Sequence, residues 1–215
     1  MWEFFKEGGP GMIPIAICSV FIVGIMIERS IFLYGASINK DVFLATMQKC
    51  ILAADIPKAV KACSSANVPL ARIVQAGLVK VNRPDDEVQA AMDEAALQEI
   101  PKIAARTPLL ALLSNIAMLS ALAGTVWGLI KSFGSVAGQS IDPSQKAAIL
   151  AAGISEAMHC TFFGLVVAVF GLIGFAILNG QTQGIEDDIN EASVRILNLV
   201  VSNRQKVNVN AAAQA

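Results

Sequence analysis

The chain has 215 residues, 55% of them hydrophobic and only 15% charged, with 16 Lys and Arg against 17 Asp and Glu. Its mean hydropathy is +0.61. So apolar a balance points to a membrane protein, and a net charge of −1 excludes the basic footprint that nucleic-acid binding requires.

Residues 1–11 read as an interfacial N-terminus. Trp2, Phe4 and Phe5 suit the headgroup boundary, and Gly8-Gly9-Pro10-Gly11 breaks any helix there. No basic n-region precedes the first apolar run and no small-residue cleavage site follows it, so that run reads as a retained span and not a signal peptide. The first span is placed at 12–34, with Pro14 in its first turn, where a missing N–H costs least. Glu28 and Arg29 lie near its far end. Arg29 is expected to snorkel to the interface and Glu28 to pair with a neighbouring chain.

Residues 35–106 form a polar, helical insert. Asp41–Ala53 is one helix. Asp55-Ile56-Pro57 supplies an N-cap and an early proline for a second, to about Ser64. Val68–Val81 is a third. Pro84-Asp85-Asp86-Glu87 opens a fourth, with acids where the helix dipole favours them. Val88, Met92, Ala95 and Ile103 give it an apolar stripe, and Pro101 is expected to kink it before the membrane.

Thr107 to Ile130 carries no charge and is the second span, 107–130. Ser114, Ala121, Thr125 and Gly128 share one face, and small or hydroxyl side chains on one face let helices approach closely in lipid. Residues 131–147 are a short connection. The third span, 148–182, contains a single acid, Glu156, and from Ala157 to Ile185 no Asp, Glu, Lys or Arg occurs. Gly153, Ala157, Cys160, Gly164, Ala168 and Gly171 form a small-residue stripe. On a 3.6-residue wheel Thr161 borders it on one side and Glu156 on the other, with His159 beyond Glu156 and within pairing reach.

The tail, 183–215, is amphipathic. Ile185, Ile189, Ala192, Ile196 and Leu199 recur at helical spacing, and Glu186-Asp187-Asp188 is placed in its first turn. An ionised side chain in hydrocarbon is costly and marks a functional site by default, so Glu156 is the leading candidate for handling an ion. None of Cys18, Cys50, Cys63 and Cys160 forms a C-x-x-C pair, and all four read as reduced packing residues. The lone histidine rules out a His-rich metal site, no nucleophile-elbow or phosphate-loop motif is present, and no cofactor is implied. The basic residues set the orientation. Ten Lys and Arg lie between 29 and 106 and three in the tail, against one before the first span and two in the 131–147 connection. The insert and C-terminus are therefore expected in the cytoplasm, and the N-terminus and connection in the periplasm.

Gly8-Gly9-Pro10 before Met12-Ile13-Pro14, then Ile27-Glu28-Arg29; Ala121-Leu122-Ala123-Gly124-Thr125-Val126-Trp127-Gly128; and Gly153-Ile154-Ser155-Glu156-Ala157 with Thr161 and Gly164-Leu165-Val166-Val167-Ala168 occur in order, one set per span. Together with the three-span layout they resemble the MotA/TolQ/ExbB proton-channel family, in its TolQ/ExbB-like branch. The resemblance covers most of residues 8–182. It departs from the family where Met118 and Ser120, and again Val169-Phe170, stand in place of a proline, and where His159-Cys160 follows the glutamate.

The resemblance implies an all-α multi-pass protein of the bacterial inner membrane. It implies a homo-oligomer of five copies around two copies of a single-span ExbD/TolR-like partner whose membrane aspartate carries the proton. Thr125 and Thr161 would line the cavity around that aspartate, Glu156 would be the pore carboxylate, and Gly124, Gly128, Gly153 and Gly164 would pack the helices. His159 is a further candidate for the proton pathway on its position alone. The function implied is a stator subunit that uses the proton motive force to energise transport, envelope maintenance or gliding. A non-conducting membrane scaffold and a sodium-driven stator are the alternatives.

Overall fold

The computed structural model describes residues 9, 11–53, 55–66, 68–137 and 142–203. Residues 1–8 and 10 of the expected interfacial N-terminus lie outside them, as do residues 138–141 of the expected connection. Among the described residues there are seven α-helices and no strand: α1 Met12–Ala36, α2 Lys40–Leu52, α3 Ile56–Ala66, α4 Pro69–Val79, α5 Asp85–Ala104, α6 Thr107–Val136 and α7 Pro143–Ser202. The chain is all-α and multi-pass, and α1, α6 and α7 are long and apolar enough to cross a membrane. In the most apolar window of each, only 22%, 22% and 33% of residues are buried within the chain. The remaining apolar faces must therefore meet lipid or other chains.

The helices fall into two compact units. One holds the described residues up to Arg29 together with Arg106–Leu178; the other holds Ser30–Ala105 and the described residues from Asn179 on.

The first unit is built by small residues. A β-carbon placed on Gly153 would collide with the Ser132 side chain. One on Gly128 would stand 3.4 Å from the Ala157 Cβ, and one on Gly164 or Gly171 would collide with Ala121 or with the Ser114 hydroxyl. Along α7 these contacts advance by four, seven and seven residues. Along α6 they retreat by the same steps, so the two helices run antiparallel in one continuous register. Seven residues is close to two helical turns, which keeps the same faces together along the whole contact. α1 runs parallel to α7: Gly11 meets Cys160, Ile22 meets Gly171 and Met26 meets Gly174. The small-residue stripes expected on the second and third spans are these contacts. Lipid tails are as apolar as Leu, so close van der Waals approach, and not hydrophobic exclusion, must hold the spans together.

The second unit packs α4 against α5. Ile73, Val74 and Leu78 are buried with Val88, Met92 and Ile103, and Gly77 gives room to the Met92 side chain. Glu99 lies on the same apolar stripe of α5, with its side chain 10% exposed. It accepts from Lys102 Nζ at 2.6 Å and from Arg72 Nη1 at 3.2 Å. Burial opposes its ionisation, but Lys102 and Arg72 together outweigh burial and hold the carboxyl below its ordinary range. All four cysteines are free and buried. The Cys63 thiol points at the Met47 sulfur at 3.5 Å, and burial pushes its pKa up to about 11.

The helices depart from expectation in four places. Asn39 caps α2 by accepting from the Val42 amide at 3.4 Å, so the helix starts at Lys40, one residue before the acid read as the start. α5 runs through Pro101, and the break comes at Arg106, whose φ of 64 turns the chain into α6. α6 continues past Ile130 to Val136, so the helix enters the expected connection.

Finally, the tail is no separate helix: α7 continues through Gly180 and Gly184 to Ser202. The acids assigned to a first turn sit mid-helix. There Asp188 and Glu191 each accept from Lys40 Nζ at 2.7 Å, and Arg195 pairs with Glu191 at 2.8 Å. These hydrogen bonds raise the Lys40 pKa and lower that of Glu191. Ile189, Ala192 and Ile196 of the expected row are buried, with Val200 in place of Leu199, while Ile185 and Leu199 are only half-buried.

Two predictions follow from this packing. Gly164→Val should destabilise the detergent-solubilised chain by about 1–3 kcal/mol through overpacking against Ala121. Gly134→Ala, with open space at its β-carbon, should be neutral or stabilising by up to ~1 kcal/mol. Equal thermal midpoints for the two variants would contradict the packing register. The Glu99 carboxyl is held below its unfolded value, so its contribution is full above the ordinary carboxylate range and is lost as pH falls toward the lowered folded value. In acid titrations followed by circular dichroism, Glu99→Gln should lower the neutral-pH midpoint and flatten the acid limb. An unchanged acid limb would count against the Lys102–Glu99–Arg72 cluster.

Candidate functional site

The site begins where α6 and α7 pack across Gly128 and Ala157. Gly128 and Ala157 carry no bulk, so the next turn of α6 brings the Thr125 hydroxyl into hydrogen-bond contact with the Thr161 hydroxyl. Thr125 Oγ1 also lies 2.9 Å from the Ala121 carbonyl and 3.3 Å from the Ala157 carbonyl, and Thr161 Oγ1 lies 3.3 Å from the Ala157 carbonyl. Both threonines are half-buried. Two hydroxyls own two protons between them; three acceptor oxygens lie within reach of the Thr125 proton and two within reach of the Thr161 proton. At any moment one hydroxyl donates to a carbonyl and the other donates to its neighbour or to Ala157. Lone pairs are left over, so the dyad can accept a hydrogen bond from a water or a protonated carboxyl, and it can return one by rotating. It does not titrate, so it can hold or pass a proton only together with an acid or water.

Glu156 stands on the other edge of the packed stripe. Five residues from Thr161 is about 140° around the helix, and the Glu156 side chain, half-buried, lies against the backbone of Gly9 and not toward the threonines. His159 turns back along its own helix. Its Nδ1 lies 2.7 Å from the Ser155 carbonyl and 3.5 Å from the Ser155 hydroxyl. With Ala151, Ile154, Met158 and Phe162 it lines an open, largely apolar groove of about 740 Å³. Of the four candidate residues, the structure thus joins Thr125 to Thr161 and sets Glu156 and His159 apart from them, across the packed stripe of α7. Gly124, Gly128, Gly153 and Gly164 all lie on packed faces. The Gly124 position touches Cys160 and Gly11, and the Gly164 position touches Ala121.

The charges that close the first span behave differently from expectation. Glu28 pairs with Arg106 of the same chain, and Arg29 is buried, 3% exposed, instead of reaching outward. Arg106 is available because its left-handed backbone places it between α5 and α6. Contacts of Gly9 and Gly11 were also missed. Their sequence signal, a glycine-rich break before a span, reads equally well as a helix stop. Among the described residues no three His, Cys, Asp or Glu side chains form a metal-ligand cluster.

Residues 65–191 match the MotA/TolQ/ExbB proton channel family. The chain belongs to the MotA/TolQ/ExbB proton-channel family. It is 28% identical over 191 residues to the ExbB-like 3 protein of Synechocystis sp., covering 83% of this chain and 90% of that one. It is 32% identical over 98 residues to the Tol-Pal system protein TolQ of Haemophilus influenzae, covering 46% of this chain and 42% of TolQ. It is also 32% identical over 94 residues to the biopolymer transport protein ExbB of Pseudomonas putida, covering 44% and 28%. Relatives carry both the ExbB and the TolQ name, and the family is one of channels and stator-like proteins, not of enzymes. Residues 65–191 include α6 and the Glu156 and Thr161 region of α7, so both threonines and the carboxylate lie within the family match.

A double-mutant cycle on Thr125→Val and Thr161→Val should give a coupling energy of about 0.6 kcal/mol, and no more than about 1.7, the range for hydrogen bonds between membrane helices. Each single variant should keep the fold, because Val fills the same volume. Strictly additive effects on thermal stability would mean that the two hydroxyls do not bond across the helices.

Proposed function

We propose that the chain is the proton-conducting stator subunit of an inner-membrane motor, which uses the proton motive force to energise an envelope process: transport, envelope maintenance or gliding. Five copies surround two copies of a single-span ExbD/TolR-like partner, whose membrane aspartate carries the proton. The N-terminus faces the periplasm; the insert and the C-terminus face the cytoplasm, where the excess of Lys and Arg belongs.

The observation that carries the proposal is the Thr125–Thr161 hydroxyl dyad, half-exposed between two membrane-length helices in a chain of a proton-channel family. A hydroxyl pair held by backbone carbonyls offers a partner carboxyl an acceptor when it is protonated and a donor when it is ionised. It therefore lowers the cost of either state in a dry channel. Glu156 takes up or releases the proton at a second station on the other flank of α7. His159, turned toward Ser155, shapes the groove on the remaining face. The biopolymer-transport and Tol-Pal names of the relatives support an envelope task. One proton crossing about 100 mV yields roughly 2.3 kcal/mol, so the motor couples several protons per stroke or moves in small steps.

In proteoliposomes holding the chain with its single-span partner, Glu156→Gln should abolish pH-driven proton flux while native mass spectrometry still shows five copies with two. Thr161→Val should slow flux by about tenfold, equivalent to ~1.4 kcal/mol on the barrier. Full flux in Glu156→Gln would remove the carboxylate from the pathway. Replacing the proton gradient by a sodium gradient with undiminished transport would make the coupling ion sodium.

A further inference from the structure

The turn that opens α1 is in contact with the one acid of the third span. Gly9 has a left-handed φ of 63, and its carbonyl accepts from the Met12 amide at 3.2 Å, closing the first turn of α1. A β-carbon built on Gly9 would fall within the Glu156 carboxylate, overlapping Oε1 and standing 2.8 Å from Cδ. The carboxylate thus fills the volume that any side chain at position 9 would need.

The same turn is packed against both α6 and α7. Two residues on, Gly11 meets Gly124 backbone to backbone: its β-carbon position is 3.3 Å from the Gly124 Cα and 3.3 Å from the Cys160 Sγ. The Gly124 position is in turn 2.8 Å from the same sulfur. Cys160 lies one turn of α7 beyond Glu156, so Gly9 and Gly11 engage α7 at successive turns. Gly124 ties the same turn to α6, one residue before Thr125. Gly11 anchors the turn by its own contacts, so a side chain at position 9 would be met by the end of the flexible Glu156 side chain moving out of this seat.

We propose that Gly9 is a positioning residue for Glu156: the absent side chain admits the carboxylate and seats it against the start of α1. This rests on Glu156 being the pore carboxylate. The first turn of α1 then decides where that carboxylate can stand, while the threonine dyad is set independently by α6 and α7.

The test compares Gly9→Ala and Gly9→Asn, alone and combined with the shorter acid of Glu156→Asp, in the complex with the single-span partner. Asn tolerates a left-handed backbone, so it fills the space while sparing the turn. It also serves if Gly9→Ala fails to insert. Misplacing a reacting group by about 1 Å costs up to 10²-fold, so Gly9→Asn should lose roughly tenfold or more in proton flux with assembly intact. Glu156→Asp should restore flux several-fold in that background while lowering it in the parent.

A second readout does not depend on flux. Labelling of Glu156 by dicyclohexylcarbodiimide, followed by peptide mass, reports the surroundings of the carboxyl and should change several-fold in Gly9→Asn. Parental flux and labelling in Gly9→Asn would overturn the positioning role, and so would a flux loss that Glu156→Asp leaves unrestored. If Glu156→Gln keeps full flux, the pore assignment fails by itself. The labelling then still decides on Gly9: a changed rate upholds the seat and an unchanged rate overturns it.

Discussion

Everything else in the membrane unit depends on how closely α6 and α7 approach. In lipid there is no hydrophobic penalty for separating two apolar helices, so contact density has to hold them. Gly128 on Ala157, Gly153 on Ser132, Gly164 on Ala121 and Gly171 on Ser114 supply that density in one antiparallel register. The register has a chemical consequence. Threonine is a short side chain, and the Thr125 hydroxyl reaches Thr161 and the Ala157 carbonyl across the helix gap because the neighbouring contact is between a glycine and an alanine. Bulk at position 128 or 157 would part the helices and leave each hydroxyl to its own backbone.

Among the described residues, several charges near an apolar core are paired. Glu28 meets Arg106, Glu99 is gripped by Lys102 and Arg72, and Lys40 bridges Asp188 and Glu191. The Lys40 pairs are exposed and serve register more than stability; the Glu99 cluster sits in a core and cannot lose a partner cheaply. Glu156 belongs to neither kind. Its carboxylate lies on the backbone of Gly9, on the far edge of the packed stripe from the threonines. The two stations proposed for the proton, the threonine dyad and Glu156, thus stand on opposite flanks of one helix, an arrangement that suits a pathway in several steps better than a single binding pocket.

Family membership and geometry bear on different questions. Membership makes the chain a channel-type, stator-like protein. The geometry says which of its hydroxyl and carboxyl groups stand together and which stand apart. The large uncovered apolar area of the three long helices, most of each apolar stretch being unburied within one chain, is the surface that lipid or further chains must cover.

Periodicity and composition by themselves determined the number of long apolar helices, the small-residue faces of α6 and α7, the helical insert and the placing of Thr161 and Glu156 on opposite edges of one stripe. Each follows from a fixed rotation per residue along a single helix. The motifs Gly124–Gly128 and Gly153–Ala168 carried the family resemblance in the same local way. Only the tertiary structure decided which contacts join different helices: the threonine dyad, Glu28 with Arg106, Glu99 with Arg72, and the carboxylate seat at Gly9. It also decided that α7 runs through Gly180 and Gly184, because helix propensity at a glycine is a cost of about 1 kcal/mol. The buried row Ile189, Ala192, Ile196 and Val200 outweighs that cost. Gly9 shows the limit most clearly. A glycine in sequence says that a side chain is missing, and only the folded chain says what stands in its place.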